Sequence, residues 1–104
     1  MSNELTILRV VPVDPPTGLR LVGEVDVSNR PVLRQALAAC DGADEVHLHL
    51  GELQFIDVAG ATELVHHAAA LGPARRMVLH DPPRMLPRMI DLLWGPQRAI
   101  ALDT

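Results

Sequence analysis

An alternating run, Val46-His47-Leu48-His49-Leu50, is followed after a short interval by a segment of helical periodicity, and this pair sets the class of fold. Alternation of apolar and polar residues turns every second side chain to one face, as in a strand with one side in a core. Beyond Asp57 the apolar residues recur as Val58, Ala61, Leu64, Val65 and Ala68, the stripe of an amphipathic helix. Asp57 suits the N-cap, because its carboxylate can accept from the free N–H groups of the first turn. Val58, Ala59 and Gly60 then give that turn little side-chain bulk, so another surface can come close to the backbone. Such a junction suits docking better than catalysis. The plainer alternative is a tight strand-to-helix turn with no function of its own.

The same alternation of strand and helix patterns runs through the chain. Leu5 to Val13 reads as a first strand, ended by Pro12 and the turn cluster Asp14-Pro15-Pro16-Thr17-Gly18; Leu19 to Val25 reads as the second, paired with it in a hairpin. Asp26 to Pro31 is a polar loop in which Ser28 or Asn29 can cap a helix carrying Val32, Leu33, Ala36, Leu37 and Cys40. Gly42 stops that helix, Glu45 to Leu50 is the third strand, and Val58 to Leu71 the second helix, ended by Gly72-Pro73. Arg76 to His80 is a fourth strand. A third helix carries Met85, Leu86, Met89, Ile90, Leu93 and Trp94, and starts near Pro87 or with an irregular turn before it. Ala99 to Leu102 closes the chain as a short strand. The order β-β-α-β-α-β-α-β predicts an α/β domain spanning residues 1–104, a mixed sheet of about five strands packed by three helices.

Composition narrows the function. Phe55 and Trp94 are the only aromatic residues, so the core is aliphatic and there is no platform for base stacking. A formal net charge of -4 opposes binding to phosphate backbones, and no nucleic-acid partner is expected. All the basic residues are arginine, which excludes lysine chemistry such as a Schiff base. Cys40 stands alone, so no internal disulfide forms. With no basic-apolar leader and no apolar run of spanning length, a cytoplasmic protein without membrane insertion is the expectation.

Several residues invite chemistry. His47 and His49 share a strand face and His80 ends a neighbouring strand, a pattern that zinc can use. No acidic cluster or cysteine pair supports it, so histidines on a solvated face are the simpler reading, and neither a metal nor a cofactor is assigned. His66-His67 reads as solvated. Asp26 and Asp57 both follow strands where helices begin, the place where open sheets bind ligands. With no nucleophile beside them in sequence, helix caps and loop anchors are the stronger reading over acid–base catalysis, and no catalytic residue is assigned.

Taken in order, Leu21-Val22-Gly23-Glu24-Val25-Asp26, then Pro31 and a helix, then Phe55-Ile56-Asp57-x-x-Gly60 opening another helix, resembles the STAS domain. The closer resemblance is to the bacterial anti-sigma factor antagonists. It covers nearly the whole chain and implies a partner-binding protein, not an enzyme. In that family a Ser or Thr in the motif Asp-Ser-Ser/Thr-Gly is phosphorylated by a kinase-type anti-sigma factor, and the phosphate breaks the complex. Here the motif reads Asp57-Val58-Ala59-Gly60, so the acceptor position is Ala59, without a hydroxyl. Thr62 and Ser28 are the substitute acceptors to consider. The resemblance places partner binding on Asp26, Ser28, Arg30, Asp57, Val58, Ala59, Gly60, Thr62 and Glu63, with Val58 to Gly60 as the floor and Arg30 or Glu63 on the rim. Two other classes stay open: an adaptor subunit of a sensor or transporter complex, and a module binding a nucleotide or metal.

Overall fold

A computed structural model describes residues 8–103. The elements follow the expected order: β1 (Leu8–Val13), β2 (Gly18–Val25), α1 (Arg30–Ala38), β3 (Glu45–Ile56), α2 (Val58–Ala70), β4 (Arg76–His80), α3 (Met85–Trp94) and β5 (Ile100–Asp103). The expected first-strand residues Leu5 to Ile7 lie outside the described residues. One five-stranded sheet carries the strands in chain order, β1-β2-β3-β4-β5. β1 and β2 form an antiparallel hairpin, and every later neighbour is parallel. Three consecutive crossovers join adjacent parallel strands, and all three helices pack into the one core, as crossovers of a single hand require.

The core lies between one face of the sheet and the helices. Leu21, Val46, Leu48, Leu50, Met77 and Leu79 rise from the sheet to meet Leu33 and Leu37 of α1, Leu64 and Val65 of α2, and Leu86 and Ile90 of α3. It is aliphatic throughout, as the shortage of aromatic residues requires.

β3 is longer than expected. It runs twelve residues to Ile56, not to Leu50. The simple alternation stops at Gly51 because β3 carries two extra residues relative to β2. Arg20 pairs with His49 but Val22 with Glu52, and Gly23 pairs with Leu53 but Glu24 with Phe55. Each bulge returns the strand to phase, so Leu53 and Ile56 are buried at a spacing of three where Val46, Leu48 and Leu50 are spaced by two. β5 is shifted by one residue, from Ile100 to Asp103. α3 begins at Met85, so Pro87 falls inside the first turn, where its missing N–H leaves no intrahelical bond unmade. α1 ends at Ala38; Cys40 follows in a turn, and Gly42 takes the left-handed conformation (φ 99°) that permits the reversal into β3.

Candidate functional site at the carboxyl end of the sheet

Val25 and Ile56 are register partners on adjacent parallel strands, so Asp26 and Asp57 leave the sheet side by side. Asp57 is the N-cap of α2: its backbone is extended (φ -95°, ψ -173°) and its Oδ1 accepts from the Gly60 N–H at 3.1 Å. Its own N–H donates to the Val25 carbonyl at 3.1 Å, tying the helix start to β2. Asp57→Ala removes the cap bond and is expected to cost about 1 kcal/mol of stability, measured by urea unfolding.

The loop from Asp26 to Asn29 is held by its own side chains. The Ser28 hydroxyl and backbone N–H both donate to Asp26 Oδ1, at 2.5 and 2.9 Å. That hydroxyl, with help from the backbone N–H groups and against partial desolvation, holds the Asp26 carboxyl below its usual range. Ser28 is therefore not the cap of α1. Asn29 occupies the N-cap position, but its side chain turns back instead of capping: Oδ1 accepts from the Asp26 N–H at 3.0 Å, and Nδ2 donates to the Glu24 carbonyl at 2.9 Å. Asn29 is buried and serves as the loop's anchor, holding the Asp26 N–H and the Glu24 carbonyl at the end of β2.

Two of the residues assigned to the docking surface face inward. Gly60 is buried, and a Cβ placed on it falls 2.6 Å from Val25 Cγ1 and 2.7 Å from Ile56 Cγ1. Gly60 lets α2 sit down on β2 and β3; it is not part of an outward floor. Glu63 is only 7 % exposed and is no rim residue. Its carboxylate pairs with Arg30 Nε, and with Arg34 Nη2 at 2.8 Å and Arg34 Nε at 3.2 Å. The Arg34 hydrogen bond, seconded by Arg30, pulls the Glu63 carboxyl down to about 2 against a partial burial that opposes it. The triad fastens α1 to α2 behind the surface.

What does face outward is more apolar than the sequence reading anticipated. Val27 is 71 % exposed, Val58 51 % and Phe55 49 %: Val27 lies in the loop after β2, Phe55 near the end of β3, and Val58 opens α2. Neither Val27 nor Phe55 was assigned to the docking surface from the sequence, although Phe55 opens the motif that carries the resemblance, because an exposed apolar residue is recognised only once its neighbours have buried theirs. Ala59 is partly exposed. The two hydroxyls proposed as substitute acceptors are both engaged: Ser28 with Asp26, and Thr62, whose Oγ1 donates to the Val58 carbonyl at 2.7 Å. His67, read as solvated, is instead largely buried near Asp41, and burial lowers its basicity. Among the described residues no helix is long and apolar enough to cross a membrane.

Comparison with known proteins agrees with this architecture. An anti-sigma factor antagonist from Mycobacterium paratuberculosis superposes with a TM-score of 0.78 at 21 % identity, covering 93 % of this chain and 86 % of that one. The anti-sigma factor antagonist SpoIIAA in its unphosphorylated form gives 0.68 at 17 % identity, covering 94 % and 88 %. A Thermotoga maritima protein assigned as an anti-sigma factor antagonist gives 0.68 at 16 %, covering 93 % and 86 %. No curated protein matches the chain. The profile of the family described as "Mlab, STAS domain" matches residues 10–93, from the first strand to the last helix, and the chain belongs to that STAS family.

Proposed function

We propose that this STAS domain is a regulatory binding protein of the anti-sigma factor antagonist class, and that it docks a kinase-type anti-sigma factor through the outward surface formed by Val27, Phe55, Val58 and Ala59. The observation that carries this reading is the group of exposed apolar side chains around the first turn of α2, on a frame already closed by its own hydrogen bonds. Asp26, Ser28, Arg30 and Thr62 border it as polar neighbours. Asp57, Gly60 and Glu63 act from beneath, by holding the turn in place. The work is binding, in the cytoplasm, and needs no catalytic group.

Residues 58 and 59 carry no hydroxyl, so the complex is not released by phosphate at the usual position. The protein stays binding-competent at all times, and control passes to its abundance or to a different binding event. The same absence favours one second reading, an adaptor subunit of a sensor or transporter complex, in which a permanent contact is what is needed.

The direct test is calorimetric titration against the kinase-type anti-sigma factors of the same genome with ATP present, followed by intact mass. Tight binding with no added mass is expected. Stoichiometric phosphorylation would sink the unswitched reading, and absence of binding to any of them would move the assignment to the adaptor. Ala59→Asp separates surface from fold. A carboxylate in the first turn meets the positive end of the helix dipole and is expected to leave stability unchanged or raise it by about 0.5 kcal/mol. Partner affinity should fall at least about tenfold, because a desolvated charge is added to an apolar contact.

A further inference from the structure

The sheet face turned away from the helices carries a histidine cluster that the docking surface does not use. His47 and His49 stand two apart on β3, and His49 is the register partner of His80 on β4, so the three rings share that face. His47 Nδ1 lies 2.8 Å from His80 Nε2. Each ring's other nitrogen meets a carboxylate: His47 Nε2 is 3.2 Å from Glu45 Oε1, and His80 Nδ1 is 2.9 Å from Asp103 Oδ2. Glu45 is in turn gripped by Arg76 Nε at 2.9 Å.

These contacts dictate the tautomers. An ionised carboxylate only accepts hydrogen bonds, so the outer nitrogens, Nε2 of His47 and Nδ1 of His80, carry the hydrogens. In neutral rings the inner nitrogens then direct two lone pairs at each other across 2.8 Å. Lone pairs so placed repel unless a cation sits between them. A shared proton is one such cation; a metal ion is the other. The flanking carboxylates equip the pair for a metal, because a metal-ligating histidine characteristically donates its second N–H to a carboxylate that fixes its tautomer and orients its ring. Both rings are equipped in this way.

We propose that His47 Nδ1 and His80 Nε2 form a binding site for a divalent transition-metal ion of the zinc class, oriented by Glu45 and Asp103. At zinc–nitrogen distances of about 2.0–2.1 Å and a tetrahedral angle, the two nitrogens stand about 3.3 Å apart. The rings must part by about 0.5 Å from their present separation and tilt, so that lone pairs now facing each other converge on one point beside the line between them. No group of three or more His, Cys, Asp or Glu side chains is gathered for a metal among the described residues. The chain therefore supplies two ligands, and the other positions belong to water or to a group brought by a partner. His49 stacks on His80, with centroids 4.6 Å apart and planes within 10°, and screens one side of the pair.

The test uses the full chain after chelator treatment, titrated with zinc by calorimetry at pH 7.5 and again at pH 6. One saturable event per chain is expected, weakened at pH 6 because the ion must displace a proton. His47→Ala and His80→Ala should each abolish it, and Asp103→Asn should weaken it by about tenfold. His66→Ala, at an exposed position on α2, should leave it unchanged. All four side chains lie outside the hydrophobic core, so circular dichroism should show native folds. No saturable event up to about 1 mM zinc, or equal binding by His47→Ala, overturns the proposal; the first result leaves a proton as the only cation between the rings.

Discussion

Gly60→Leu is expected to lower the stability of the domain by about 3 kcal/mol, and the melting temperature by more than about 10 °C. The reason is local. Even a bare Cβ at this position falls within 3.0 Å of both Val25 and Ile56, so the helix must lift or two core side chains must leave their rotamers. Gly60→Ala gains about 1 kcal/mol of helix propensity against an overpacking cost of about 1–3 kcal/mol, and should come out modestly destabilised. Urea unfolding reads the difference as a shift in midpoint at constant slope. If Gly60→Leu were as stable as the parent and lost only partner affinity, the residue would be an outward contact after all. The expected result has a practical side: reduced binding by a bulky variant at position 60 says nothing about the docking surface unless its folding is measured first.

Glu63→Gln should be the most costly change of charge. The carboxylate is shielded from water and answers two guanidinium groups, so its removal leaves Arg30, only partly exposed, without its counter-charge. A loss of about 2 kcal/mol at pH 7 is expected, below the usual figure for a buried pair because Arg34 is mostly exposed. The dependence on pH gives the sharper test. The folded-state value of about 2 lies beneath the ordinary 4.5, so the contribution is complete above pH 4.5 and is lost as pH falls toward 2. The stability gap between parent and variant should therefore narrow over that window. A gap independent of pH would mean that Glu63 acts by shape alone.

How far the chain could be read in advance differs from residue to residue, for physical reasons. Element order was plain because alternation and helical periodicity are carried by many residues at once, and no single misreading upsets them. The end of β3 was hidden because its two bulges break the alternation just where the strand continues. Asp57 was legible as a cap, since its role is settled within its own first turn. Gly60 and Glu63 were not, because what decides their direction is distant in sequence: Val25 for the glycine, Arg30 and Arg34 for the acid. Val27 and Phe55 were missed for the converse reason, since their significance lies in having no neighbour to cover them. The histidine pattern was seen and set aside for want of acidic support; Glu45, two residues before His47 on the same strand face, was legible and overlooked, whereas Asp103 comes from β5, far away in sequence.

The sheet's strands lie in the order in which they are made. Each new strand therefore finds its neighbour already emerged from the ribosome, and no strand must wait for a later one to be slotted in beside it. A domain of this kind can grow by accretion, plank by plank, with each crossover helix closing over the seam just formed. One edge of the sheet is fixed as β1 from the start, while the other is always the most recent strand, so its identity changes with chain length until β5 takes that place.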